Sequence, residues 1–156
     1  NSITGNFVGG NSTASITQSG NSNSTVLNMG NFGTNNGNLG INFTGSNNSS
    51  VLNIGTTRDS SNYNYNLTAT GDSNSITSTI NSKNTNNSIT LTGDSNTVTT
   101  TQTGANGTLT TGGHNITATV VGSNNTVGVI QNGTTNPNSA TVSVNGSGAA
   151  VSITQH

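Results

Sequence analysis

The sequence predicts an all-β fold: a flattened parallel β-solenoid of two sheets, with about six and a half coils in 156 residues. Three observations carry this. A nine-residue unit, N-x-φ-x-φ-x-Q-x-G with φ apolar, recurs down the chain, nearly complete in Asn96-Val98-Thr100-Gln102-Gly104 and Asn125-Val127-Val129-Gln131-Gly133. Its side chains keep a period of two, which is the period of a strand, and recurrence every 20-odd residues marks stacked coils. Apolar residues fall on that frame rather than at random.

Thirteen units follow one another, with first inward positions at Asn1, Ser12, Asn23, Gly37, Asn48, Tyr63, Asn74, Thr85, Asn96, His114, Asn125, Asn138 and Ala149. Residues two, four and six further on point the same way, because alternate strand residues share a face. The inward set holds 23 of the 30 Leu, Ile, Val and Phe residues. The seven outside it are Val8, Val26, Phe32, Val51, Leu109, Val121 and Ile130. Paired units make one domain over 1–156, with coils near 1–20, 21–45, 46–71, 72–93, 94–122 and 123–146 and a half-coil at 147–156.

The connections differ by edge. Each even unit passes to the next odd unit through a turn of constant length that opens on Gly20, Gly45, Gly71, Gly93, Gly122 or Gly146. Gly and Asn tolerate the left-handed backbone that tight arcs need. The odd-to-even steps vary, and the longest runs from Gln102 to His114. One edge is therefore a uniform column of turns and the other bears loops.

The interior reads as an amide column, two mainly apolar columns, and a mixed column containing Gln18, Gln102, Gln131 and Gln155. Asn1, Ser12, Asn23, Asn48, Asn74, Asn96, Asn125 and Asn138 form the first of these. Buried amides need partners, and stacked Asn or Gln side chains find them along the column.

Composition narrows the function. Asn (31), Thr (30), Ser (22) and Gly (21) make two-thirds of the chain. The apolar fraction is as low as in disordered chains, but a net charge of −1 and the strict patterning argue for a fold. There is no cysteine, hence no disulfide or thiolate metal site. No apolar run is long enough to span a membrane, and a first residue other than Met suggests a removed export signal. Arg58, Lys83, Asp59, Asp72 and Asp94 are the only charged side chains, which excludes a basic nucleic-acid surface.

Few residues offer chemistry, and neither an enzyme, a metal site nor a cofactor is expected. Asp72 and Asp94 hold the same place in consecutive tight turns. They read as solvated turn charges, against the alternatives of a shared cation such as calcium or a glycosidase pair. His114 reads as a hydrogen-bonding inward imidazole. Tyr63 and Tyr65 pack inward, and Arg58–Asp59 form a surface pair. Twelve N-x-[ST] sequons match the roughly ten expected by chance at this composition. Asn106 would be the best-placed acceptor.

The spacing Ser12-x5-Gln18-x4-Asn23, repeated as Asn125-x5-Gln131-x4-Asn136 and in part as Asn96-x5-Gln102, resembles the curlin repeat of bacterial curli. The segment Ala149–His156 looks like a curlin terminal strand. The frame covers essentially the whole chain, the strict motif about four units. The resemblance implies an extracellular functional amyloid of biofilm matrix, self-assembling as a homopolymer. It further implies export through an outer-membrane secretion pore and templating by a minor nucleator subunit, with no nucleic acid and no membrane insertion. Alternatives are a cell-surface or phage appendage adhesin, or an ice-binding solenoid using outward threonines. Unit one starts at Asn1 and unit thirteen closes at Gln155, so neither end is expected to carry a cap. An odd number of units predicts that successive subunits turn by about 180° and rise about 31 Å.

Overall fold

A computed structural model describes residues 1–5, 13–29, 35–55, 61–104, 113–133 and 136–156. Phe7, Ser12, Arg58, Asp59 and Asn106, and the side chains of Met29 and Tyr63, lie outside that description.

The described residues contain no helix. They form thirteen strands: β1 Ser2–Thr4, β2 Ile16–Gln18, β3 Ser24–Met29, β4 Asn35–Thr44, β5 Ser49–Ile54, β6 Ser61–Thr70, β7 Ser75–Asn81, β8 Asn86–Thr92, β9 Thr97–Gly104, β10 Asn115–Val121, β11 Thr126–Gly133, β12 Ser139–Asn145 and β13 Ala150–Gln155. Odd strands build a seven-stranded sheet in the order β1-β3-β5-β7-β9-β11-β13, and even strands a six-stranded sheet in the order β2-β4-β6-β8-β10-β12. All pairings are parallel. Chain and space alternate together, which is the connectivity of a two-sheet β-solenoid.

Register is set by the repeat. Leu27 lies beside Leu52, Leu67 beside Ile89, and Gln102 beside Gln131. Equal positions of the unit pair in every strand, because a one-residue slip would expose a whole apolar row. β4 and β6 start two residues ahead of their first inward positions, Gly37 and Tyr63.

The core is the thin layer between the sheets. Leu27, Leu52, Ile54, Ile76, Ile80, Val98, Val127 and Val129 meet Leu39, Ile41, Phe43, Tyr65, Leu67, Ile89, Leu91, Ile116 and Val120 across it. All of these are inward positions of the unit. Val26, Val121 and Ile130 stand outside, as their register requires, with Val26 37% exposed. Ile3 departs from the expectation. It is an inward position but 55% exposed, in β1, an edge strand that among the described residues pairs with β3 alone.

Candidate functional site

Nothing in the described residues concentrates chemistry in a cleft. What the fold builds instead are polar ladders along the stacking axis, and two of them stand at the tight-turn edge.

The first belongs to the seven-stranded sheet and comprises Asn1, Asn23, Asn48, Asn74, Asn96 and Asn125. Each backbone N–H donates to the side-chain Oδ1 of the member before it, at 3.0 Å for Asn23 to Asn1, 2.9 Å for Asn48 to Asn23 and 3.0 Å for Asn74 to Asn48. The series continues at 3.0 Å for Asn96 to Asn74, 3.1 Å for Asn125 to Asn96 and 2.9 Å for Ala149 to Asn125. The Nδ2 group reaches the other way, to the turn glycine of the following coil. Asn48 reaches Gly71 O at 2.8 Å, Asn74 reaches Gly93 O at 2.9 Å, and Asn96 reaches Gly122 O at 2.8 Å. Each amide thus ties two turns together, and Asn23 through Asn125 are fully buried while doing so.

The turns between those residues share one conformation. Gly20, Gly45, Gly71, Gly93 and Gly122 have φ from +81° to +117°. Two residues on, Ser22, Asn47, Ser73, Ser95 and Asn124 sit in the left-handed region at φ 58° to 59°. Gly148 takes that second place in the last turn at φ 72°. Gly is required at the first position for space as well as for φ: a Cβ on Gly93 would strike the carbonyl of Gly122 in the next coil.

A second ladder caps the outside of the same turns. The residue after each glycine accepts, through its side-chain oxygen, the backbone N–H of its counterpart one coil earlier. Asn21 donates to Ser46 Oγ at 3.2 Å, Ser46 to Asp72 Oδ1 at 2.6 Å, and Asp72 to Asp94 Oδ1 at 2.7 Å. Asp94 then donates to Ser123 Oγ and Ser123 to Ser147 Oγ, both at 3.1 Å. Asp72 and Asp94 are therefore stacked and exposed, with a definite role as turn acceptors. Among the described residues, no three His, Cys, Asp or Glu side chains cluster as metal ligands would. Sequence reasoning placed the two carboxylates but missed this ladder. The signal was available, since every turn glycine is followed by Asn, Ser or Asp.

The third ladder is short and buried. Gln102 Nε2 donates to Gln131 Oε1 at 3.0 Å, and Gln131 Nε2 to Gln155 Oε1 at 2.9 Å. Asn87 of the opposite sheet donates to Gln102 Oε1 at 2.7 Å.

Two expected ladder members stand elsewhere. Gln18 and Asn138 belong to the six-stranded sheet, because successive units alternate between sheets and every unit position therefore yields two columns. The counterpart of the asparagine ladder in that sheet includes Thr85, His114 and Asn138. Its mixed chemistry leaves Thr85 Oγ1, His114 Nε2 and Asn138 Nδ2 without a hydrogen bond of normal geometry. The uniform Asn23–Asn125 ladder leaves no such atom. Identity along a column is what satisfies buried amides.

His114 is fully buried, and its Nδ1 accepts the Asn138 N–H at 3.1 Å. Burial holds its pKa below the ordinary value, opposed by backbone groups of Thr103 and Gly133. The unfolded chain, with an imidazole pKa near ~6.5, takes up the proton first. This contribution to stability is therefore intact above that pH, falls as pH drops through it, and levels off below the folded value. Urea midpoints should drop between pH 8 and 5.5, and His114→Asn should remove that part of the drop. Equal pH dependence in both proteins would refute the assignment.

Tyr65 crosses the core from the six-stranded sheet. Its hydroxyl meets Ser78 Oγ at 3.1 Å, and Ser78 Oγ also accepts from Thr100 Oγ1 at 2.8 Å. Burial pushes the phenol pKa well up, opposed by the hydrogen bond to Ser78. Tyr65→Phe removes one buried hydrogen bond without opening a cavity, and should cost about 1 kcal/mol in chemical denaturation. No loss at all would mean that the hydroxyl contributes nothing to the packing of the two sheets.

The outward threonines do not make an unbroken array. Thr77 and Thr99 stack, but Val51 precedes them and Gly128 follows. Thr68, Thr90 and Thr119 stack on the other sheet between Asn42 and Ser143.

Fold and ladders together define the chain as a parallel two-sheet β-solenoid repeat protein. No family model, curated protein or solved structure matches it.

Proposed function

We propose that this protein is a structural subunit of an extracellular fibre of the curli-like functional amyloid type, self-assembling by strand addition at the edges of its two sheets. The observation that carries this reading is the asparagine ladder. Its hydrogen bonds run between coils, from backbone to side chain and on to the next turn, so that from Asn1 to Asn125 each coil presents the acceptor that the following coil uses. Parallel in-register strands with buried Asn and Gln columns are also the stacking mode of cross-β assemblies. Export through a pore and templating by a nucleator are the further steps that the curlin-like spacing suggests.

Electron microscopy and fibre diffraction of purified protein after incubation test the reading. Unbranched fibrils one subunit wide, with a meridional spacing near 4.8 Å, are the expected result. A protein that stays monomeric at high concentration, with or without added seeds, would overturn it.

A further inference from the structure

The geometry points to a specific joint between copies of this chain, in which β2 of one subunit adds to the outer edge of β13, the last described strand of its sheet, in another after a half-turn about the fibre axis. This deepens the fibre reading and rests on it. The partner is a second copy, and the joint is chosen by glutamine.

Three glutamines share one backbone contact. Gln131 Nε2 donates to Asn115 O, and Gln155 Nε2 donates to Ser139 O, both at 3.0 Å. Gln18 Nε2 donates to Ser2 O at 3.2 Å, and also to Thr25 Oγ1 of the opposite sheet at 2.9 Å. Asn115, Ser139 and Ser2 are the second residue of the unit that precedes each glutamine. The backbone contact of Gln18 in β2 thus matches that of Gln131 in β11 and Gln155 in β13, although it lies in the other sheet. Gln18 sits at the β2 edge of the six-stranded sheet, and the Gln102–Gln131–Gln155 ladder runs toward the β13 edge of the seven-stranded sheet.

A half-turn brings these two edges together. Rotation by about 180° exchanges the sheets and keeps every strand parallel to the one beneath it, so β1 of the incoming copy lands on β12 and β2 lands on β13. Equal unit positions then coincide, as they do in every pairing inside the subunit. Ile16, which is half-buried, covers half-buried Ile153. Gln18 lies over Gln155 and extends the ladder, its Oε1 accepting from Gln155 Nε2 as Gln155 Oε1 accepts from Gln131 Nε2 within the subunit. Without the half-turn, β1 would land on β13, the glutamine ladder would stop, and β2 would not reach β13.

The chain has no cysteine, so the joint can be read by disulfide trapping. Ser15, Ser152 and Thr4 are all exposed. In the half-turn joint Ser152 lies about 4.8 Å from Ser15 of the next copy, a separation that a disulfide spans. In the joint without the turn it lies beside Thr4. Fibres of the double variant Ser15→Cys/Ser152→Cys, oxidised after assembly, should give a ladder of covalent multimers on a non-reducing gel. Fibres of Thr4→Cys/Ser152→Cys should give monomer. Multimers from the second variant, or from neither, would overturn the joint while leaving the fibre intact. Failure of the unsubstituted protein to form fibres would instead remove the reading beneath it.

Discussion

Replacing Asn96 with leucine should cost about 3–5 kcal/mol, the scale expected for a fully bonded position in the middle of the ladder. The side chain is fully buried and serves four hydrogen bonds. Its Oδ1 accepts the backbone N–H and the Nδ2 of Asn125, both at 3.1 Å. Its Nδ2 donates to Gly122 O at 2.8 Å and to Asn74 Oδ1 at 3.1 Å. Leucine is similar in size, so the cost is not a cavity. It is the stranding of a buried N–H and a buried carbonyl, each worth about 1–3 kcal/mol when left unpaired, plus the bond to Asn74. Urea unfolding of freshly purified monomer measures this directly. A loss under about 1 kcal/mol would mean that the backbone alone holds the turns, and that the amides are incidental.

Substituting alanine for Gly93 should be nearly as damaging, and a paired control separates its causes. Gly93 has φ +116°, and a Cβ there would strike the carbonyl of Gly122 in the next coil. Backbone strain for a non-glycine residue in such a region costs of order 1–3 kcal/mol, and relief of the collision requires the coils to part. Gly146 has φ +145° but nothing within 4 Å of an added Cβ. Gly146→Ala should therefore carry the strain alone, and Gly93→Ala the strain plus the displaced coil. If the two variants unfold at the same urea concentration, close stacking of the turns is not what demands glycine. In assembly the order should differ. Gly146 lies in the last turn before β13, so an added methyl group there stands where the next copy would stack and should slow fibre growth.

Much of this architecture was legible from the chain. Period two assigned Leu27, Leu52, Val98 and Val129 to the core, and the constant five-residue steps located the turn glycines, because both are local properties of a repeat. Two things were harder to read. Gln18 and Asn138 looked like members of the same columns as Gln102 and Asn125, since a linear frame shows the position in the unit but not the sheet. The capping ladder of Ser46, Asp72, Asp94 and Ser123 went unseen because its partners are 22 to 29 residues apart. A small polar residue in a turn looks like mere turn chemistry until the coils are stacked. Ile3 shows the converse, a residue with the right period at the edge of a sheet, where period alone does not bury it.

The contrast between the two edges bears on what can be added to this chain. On the turn edge, one inserted residue would move an asparagine out of its ladder and reverse the facing of the strand behind it. The other edge already absorbs steps of different length. The twelve-residue step from Gln102 to His114 leaves β9 in phase with β11, and β10 in phase with β8 and β12. Foreign peptide placed in that segment should leave the solenoid untouched. If successive copies turn by half a revolution, such a graft would be displayed alternately on both flanks of a filament, once in every ~31 Å of its length.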